Sequence, residues 1–98
     1  MNRFGNKIRE LREAKGMLLR EVAAILETDT AHISKLERGD RKAKREHVIL
    51  LTSLLKTTTD ELFTLWLADQ IDQLVINESV AIESLNLVLH DIKNRLEI

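Results

Sequence analysis

The sequence predicts an all-helical (all-α) protein, and three observations lead to this fold class. Proline is absent from the 98 residues, and glycine and the aromatic residues occur only three times each. Leu, Ile, Ala, Glu, Lys and Arg are abundant, a composition typical of helical domains. Apolar residues recur at spacings of three and four, and no stretch alternates apolar and polar residues as a half-buried strand does. The length suits one domain, or one domain with an appendage.

The spacing of the apolar residues predicts each helix in turn. The first helix is expected from near Phe4 to about Lys15, with Gly16 ending it. A second short helix follows, and its apolar residues are Leu19, Val22, Ala23 and Leu26. Asp29 is a favourable N-cap for a third helix, which Gly39 can end in the left-handed conformation.

The second half of the chain continues the helical pattern. A basic loop at residues 41–45 leads into a fourth helix, whose apolar residues are Val48, Leu51, Leu54 and Leu55. Thr58 and Glu61 match a capping box, in which Thr58 caps the fifth helix and Glu61 reaches back. This helix is expected to bury Trp66 and to run as far as Ile76. After a break at residues 77–79, a last helix is expected over roughly residues 80–96.

The last helix carries an apolar stripe with the spacing 3, 4, 3, 4, which we call the C-terminal stripe. Its members are Ile82, Leu85, Leu89, Ile92 and Leu96. This 3.5-residue period is typical of a helix that packs along another helix, although two heptads do not prove a coiled coil and the helix could fold back on its own domain. Because residues 1–66 already read as a complete bundle, we predict that residues 67–98 form a helical extension that makes a homodimer.

The charge of the chain is divided between its two halves. Residues 1–56 carry 13 Lys and Arg against 8 Asp and Glu, a balance of +5. Residues 57–98 carry 2 against 8, a balance of −6, and the sum is the net charge of −1. Such a division is compatible with nucleic-acid contact by the basic half, and equally with chance segregation on solvated surfaces.

Residues 19–36 have the pattern of two short helices that cross at a tight turn, a helix-turn-helix. Ala23 is the small residue that lets the helix axes approach, and the facing apolar side chains are Val22, Leu26, Ile33 and Leu36. Only three or four residues, at 27–29, separate the helices. The exposed positions of the third helix are small or hydrogen-bonding, which suits a surface that reads a DNA groove. They are Thr30, Ala31, His32, Ser34 and Lys35.

Three stretches of the chain match a known pattern: Ile8–Gly16, Ile33–Gly39 and Asp60–Phe63. On these stretches, residues 5–63 resemble the Xre/Cro-like helix-turn-helix family of phage and bacterial transcription regulators, and Ser-Lys-Leu-Glu-Arg-Gly after the motif is specific for it. The resemblance implies a five-helix, lambda-repressor-like DNA-binding domain that binds palindromic operators in double-stranded DNA as a dimer. Residues 67–98 lie outside the resemblance.

The resemblance also implies roles for individual residues. Base-reading positions fall on Thr30, Ala31, His32, Ser34 and Lys35. Ala31 can touch only a thymine methyl group, whereas Lys35 can reach guanine O6 and N7. The implied phosphate contacts are Arg20, Arg38, Arg41, Lys42, Lys44 and Arg45, although residues 41–45 taken alone would read as a solvated charge run. Arg12 and Glu37 match a family pair that joins the first helix to the end of the third.

The chain departs from the family pattern at the start of the second helix and in two loops. Leu18 and Leu19 stand where the family usually has Ser or Thr and then Gln, so the side-chain cap is lost and Arg20 is expected to take over the phosphate contact. Glu27 occupies a turn position that is usually Gly, which predicts backbone strain. The basic loop replaces the Pro that usually follows the Gly at the end of the third helix.

Other classes of function find little support in the sequence. Cysteine is absent and the three histidines, His32, His47 and His90, are scattered, so no metal or cofactor is expected. We find no nucleophile–base set and do not expect an enzyme. The chain has no run of 18 apolar residues and no signal-peptide pattern, which predicts a cytoplasmic protein without membrane contact. Its length leaves no room for a domain that binds a small-molecule ligand.

Two functions from different classes remain open at this point. The first is a sequence-specific transcription regulator, similar to the compact controller proteins of restriction–modification systems or to small phage repressors. The second is an antitoxin that neutralises a toxin through its acidic C-terminal half and regulates its own operon.

Overall fold

The computed structural model describes residues 2–97, and within that range it contains six α-helices and no strand. The helices are α1 (Arg3–Ala14), α2 (Leu19–Ile25), α3 (Thr30–Arg38), α4 (Arg45–Leu54), α5 (Thr59–Val75) and α6 (Ala81–Leu96). The all-helical prediction is confirmed, and the predicted breaks fall between helices, except that Arg45, expected in the basic loop, begins α4.

Side-chain caps and left-handed glycines set several ends of helices α1 and α3; Gly16, with φ +66°, follows α1. The Asn2 side chain accepts a hydrogen bond from the Gly5 N–H at 3.2 Å and so caps α1. Asp29 does the same for α3, where it accepts from the His32 N–H at 2.8 Å. Gly39 ends α3 with φ +80°, a conformation that other residues adopt only with strain. The roles of Asp29 and Gly39 are those predicted from the sequence.

The predicted capping box at α5 is only half correct. The Thr58 hydroxyl accepts from the Glu61 N–H at 3.1 Å, as a capping box requires. The Glu61 carboxylate, however, accepts a hydrogen bond from the Thr57 hydroxyl at 2.5 Å and lies 3.4 Å from the Lys7 Nζ. A hydroxyl and an ammonium group therefore take the carboxylate that was expected to bind the backbone.

The start of α2 has a capping hydrogen bond that the sequence analysis did not predict. Leu18 has no side-chain acceptor, so the usual hydroxyl cap is missing. The carboxylate of Glu21, three residues after Leu18, accepts a hydrogen bond from the Leu18 N–H at 2.9 Å. This is the second half of a capping box, and it also places a carboxylate at the positive end of the helix dipole.

The hydrophobic core lies among α1–α5. Its buried apolar side chains are Phe4, Ile8, Val22, Ala23, Leu26, Ile33, Leu36, Ala43, Val48, Leu51, Leu55, Leu62 and Trp66. Helix α1 packs on α3 and α5, α2 packs on α3, and α4 packs on α5. Leu11, Leu19 and Leu54, which the periodicity assigned to apolar faces, pack against this cluster while remaining partly exposed.

The beginning of α1 approaches the end of α3 closely. A Cβ atom placed on Gly5 would lie 2.5 Å from the carbonyl oxygens of both Leu36 and Glu37, so only glycine fits there. The Asn2 side-chain amide donates to the Glu37 carbonyl at 2.6 Å across the same junction. The small residue and the amide together hold the last turn of α3 against α1.

A buried ion pair reinforces this junction. Arg12 of α1 meets the carboxylate of Glu37 with two hydrogen bonds, from Nε at 2.6 Å and from Nη2 at 3.0 Å. Its Nη1 donates to the Met17 carbonyl at 2.9 Å, and Glu37 is only 7% exposed. Hydrogen bonding to Glu37 raises the pKa of Arg12. The guanidinium thus connects α1, the chain before α2 and the end of α3.

Asp69 of α5 serves as a cap for α1 from outside that helix. Its carboxylate accepts from the backbone N–H groups of Arg3 at 3.1 Å and Phe4 at 2.9 Å. The Arg3 guanidinium lies 3.1 Å from Asp69 and 3.4 Å from Asp72. Hydrogen bonding to Asp69 raises the pKa of Arg3. The part of α5 beyond residue 66 is therefore fastened to α1.

The C-terminal part of the chain projects from the bundle. Helix α5 continues without a break across the predicted boundary between residues 66 and 67, and no residue of α6 is buried. The described chain exposes 6993 Å², whereas a compact monomer of its mass would expose about 5,700 Å². The Cα radius of gyration is 15.6 Å, compared with about 13 Å for a compact domain of this length.

We expect Glu37→Ala to lower the free energy of unfolding by about 3 kcal/mol, because it leaves the Arg12 charge without its partner in a largely buried site. Asp40→Ala is the matched control, since Asp40 pairs with Arg38 at 3.0 Å on the surface, where such a pair contributes about 0.5 kcal/mol. Urea unfolding followed by circular dichroism measures both. Equal losses for the two variants would contradict the role assigned to the buried pair.

Candidate nucleic-acid interface

Helices α2 and α3 form the two helices of a helix-turn-helix. Ala23 is buried where they approach, and the Thr28 N–H donates to its carbonyl at 2.9 Å to close the turn. Glu27 adopts a left-handed conformation with φ +54°, which is where the sequence predicted strain. A non-glycine residue in this conformation costs roughly 1 kcal/mol. The strained residue is exposed, so its side chain does not disturb the packing of Ile33 and Leu36 underneath.

The outward face of α3 carries the residues expected to read bases. Thr30, Ala31 and Lys35 are exposed, and Ser34 is half-buried. Within residues 2–97, no hydrogen bond or ion pair holds the Lys35 ammonium group. An unpaired lysine on a helix whose opposite face is buried can reach a ligand without breaking an internal contact.

His32 is held differently from the other four predicted base-reading residues. Its Nδ1 lies 2.7 Å from the Thr28 hydroxyl, and its ring meets the edge of the His47 ring at a centroid distance of 5.8 Å. The imidazole therefore braces the turn between α2 and α3 as well as lying on α3. Burial is the main cause that lowers the pKa of His32. The charges of Arg41, His47 and Lys44 lower this pKa further, whereas Asp29 raises it.

The six residues expected to contact phosphate fall into three groups. The side chains of Arg20, Arg41 and Lys44 are exposed and make no hydrogen bond or ion pair within the described chain. Arg38 is occupied: its Nη1 donates to the Ser34 hydroxyl at 2.8 Å and its Nε lies 3.0 Å from the Asp40 carboxylate. Lys42 and Arg45 form the third group, which lies against aromatic rings.

The basic loop is tethered to α5 by Trp66. The Trp66 Nε1–H donates to the Ala43 carbonyl at 2.8 Å, and Ala43 itself is buried. The Arg45 guanidinium carbon lies 5.2 Å from the Trp66 ring centre and 5.0 Å from that of Phe63, and the Lys42 Nζ lies 5.6 Å from Trp66. Cation–π attraction therefore positions two of the basic residues. Sequence reasoning had assigned Trp66 only to the core.

The described residues offer neither a metal site nor a membrane-spanning helix. Across residues 2–97, no three His, Asp or Glu side chains gather in a manner that could hold a metal ion. No helix in the described range is both long and apolar enough to cross a membrane.

The fold and this face define a DNA-binding protein of the helix-turn-helix class. A family model for the helix-turn-helix family HTH_3 matches residues 8–62, more than half of the chain. The chain therefore belongs to this Xre/Cro-like family of regulators. Comparison with curated proteins and with solved structures gives no significant match.

We expect Arg41→Ala to raise the pKa of His32 toward its ordinary value of 6.5, because one of the cations that disfavour the imidazolium is removed. Histidine C–H shifts in an NMR titration measure this. Arg9→Ala is the control, since Arg9 lies on α1 and does not act on His32. The wild-type fold prefers neutral His32, so its unfolding free energy should fall as the pH drops below 6.5. A His32 pKa that Arg41→Ala leaves unchanged would contradict this arrangement.

Proposed function

We propose that the protein is a sequence-specific transcription regulator that inserts α3 into the major groove of double-stranded DNA. The observation that carries the proposal is the outward face of α3, where Thr30, Ala31 and Lys35 are exposed while the opposite face is fixed in the core. Lys35 can donate to guanine O6 and N7, and the Ala31 methyl group can contact a thymine methyl group. Family membership supports DNA binding and regulation.

The basic residues differ in how readily they can bind the phosphate backbone. Arg41 and Lys44 flank α3 and have no internal partner among the described residues, so they can bind phosphate directly. Arg38 first has to leave Asp40. Because both side chains of that pair are more than half exposed, at 57% and 60%, the exchange costs little. Arg45 and Lys42 approach the backbone from positions set by the aromatic rings.

We further propose that two copies bind a palindromic operator. A single helix-turn-helix reads only a few base pairs, and members of this class reach useful specificity by placing two recognition helices about 34 Å apart, one turn of DNA. The exposed C-terminal stripe supplies a surface for that pairing. Whether the regulator represses or activates depends on where the operator lies.

A second candidate function uses the same surface for a different partner. The acidic, apolar C-terminal part could bind a toxin protein, in which case the protein would be an antitoxin that regulates its own operon. The exposed stripe favours this candidate as well, since both functions require an uncovered apolar face. The state of association of the purified chain distinguishes the two.

Lys35→Ala should reduce discrimination between operator and scrambled DNA by about 1–3 kcal/mol, whereas Arg41→Ala should weaken both affinities about equally. The operator is first selected from a pool of random duplexes, and affinities are then measured at fixed salt. Lys56→Gly is the control: it removes one charge at the far end of α4, and glycine suits the φ of +53° there. Equal losses on both DNAs for Lys35→Ala would show that Lys35 touches only phosphate.

Leu89→Asp should convert the dimer into a folded monomer that has lost operator binding, because it places a charge in the middle of the stripe. Leu89 is 48% exposed, so the substitution leaves the core of α1–α5 intact. Sedimentation and circular dichroism of wild type and variant measure both effects. A wild type that is monomeric at high micromolar concentration would exclude the homodimer and favour the antitoxin.

A further inference from the structure

Uncovered apolar side chains are concentrated after residue 66. Twelve of the sixteen large hydrophobic side chains that are exposed lie within residues 67–96. Besides the C-terminal stripe on α6, they include a shorter row on α5, which we call the α5 row. Its members are Leu67, Ile71 and Leu74, which are 51%, 41% and 79% exposed. Their spacing of four and three residues places them on one face of α5.

The α5 row is fixed relative to the DNA-binding bundle. It lies on a helix that continues without a break from the core residues Leu62 and Trp66. Asp69, between two members of the row, caps α1 through the N–H groups of Arg3 and Phe4. The row is therefore a rigid surface of the bundle rather than part of a loose tail.

The α6 helix of the same chain does not cover this row. Only residues 76–80 link α5 to α6, and the whole C-terminal stripe stays exposed. Even its least exposed member, Ile92, is 38% exposed. One chain thus presents two apolar surfaces, the α5 row and the C-terminal stripe, and covers neither of them.

A second copy of the chain can cover both surfaces with one kind of contact. In a twofold dimer, if residue i of one subunit touches residue j of the other, then j also touches i. Pairing of α6 with α6 alone would leave the α5 row in water. Packing α6 on the α5 of the other subunit covers the row and the stripe together, and does so twice.

The exposed area agrees with such an interface. The excess over a compact monomer of this mass is roughly 1,300 Å², from 6993 Å² and the expected value of about 5,700 Å². A stable protein interface of standard size buries about 800 Å² per partner. The excess is therefore larger than the area that one partner of a standard interface buries.

We infer that the C-terminal stripe of each subunit packs on the α5 row of the other, in an interface formed by α5 and α6 of both copies. The inference rests on the proposed homodimer and extends it, because it names α5 as the receiving surface. In this arrangement the subunit contact lies on α5, the same helix that carries Trp66. Trp66 in turn holds the basic loop through the Ala43 carbonyl.

Complementation between two variants tests the inference. Ile71→Asp alters the α5 row and Leu89→Asp alters the stripe, and each variant alone should be monomeric at concentrations where the wild type is dimeric. In an equimolar mixture, one of the two α5–α6 contacts joins two unaltered surfaces. The mixture should therefore form heterodimers, weaker than the wild-type dimer, that sedimentation and mass measurement detect.

Leu50→Asp is the matched control, because Leu50 is 42% exposed on α4 and lies outside both surfaces. It should remain dimeric, and circular dichroism should show all three variants folded. A dimeric wild type in which Ile71→Asp also stays dimeric would overturn the α5 row as the receiving surface while leaving the homodimer intact. A mixture that remains monomeric would overturn the crossed packing. A monomeric wild type would instead overturn the proposed homodimer itself.

Discussion

The position of the recognition helix depends on the junction between α1 and the last turn of α3. Glu37 is buried there, and its charge is satisfied only when both Arg12 nitrogens reach it. Gly5 allows the two backbones to approach, and the Asn2 amide holds the Glu37 carbonyl. A buried ion pair adds little net stability, but separating its partners is costly, so other placements of α3 are strongly disfavoured. The pair thus fixes the geometry of the surface that we propose faces DNA.

The same arrangement divides the DNA-binding surface into a rigid and a tethered part. Lys35 projects from a helix that the core and the Glu37 pair hold in place. The chain between Gly39 and the start of α4 is not helical, and Trp66 ties it to α5 through the Ala43 carbonyl. Base recognition needs accurate placement, whereas phosphate contacts tolerate some adjustment, so this distribution of rigidity suits the two kinds of contact.

Features that depend on neighbouring residues were predictable from the sequence, and features that depend on folding were not. Apolar spacing located the helices, and the Asp29 cap follows from local chemistry. By contrast, the Asp69 cap on α1 and the stacking of Arg45 on Phe63 join residues that only the folded chain brings together. The capping box failed at Glu61 because its carboxylate binds the nearby Thr57 hydroxyl and also Lys7 of α1, which is distant in sequence. The exposure of Thr30, Ala31 and Lys35 on α3 was predictable from the helical spacing, but the bracing contacts of His32 with Thr28 and His47 were not.

Some acidic residues of the C-terminal half form internal ion pairs. This helps to explain how a protein with a net charge of −1 can present a DNA-binding face. Asp69 and Asp72 neutralise Arg3 at the start of α1. Exposed charges are screened beyond about 10 Å at moderate salt, so phosphates respond to the local cations rather than to the sum over the chain. Because α5 runs unbroken from the core into the acidic part, any contact that two copies make there also sets the distance between their recognition helices.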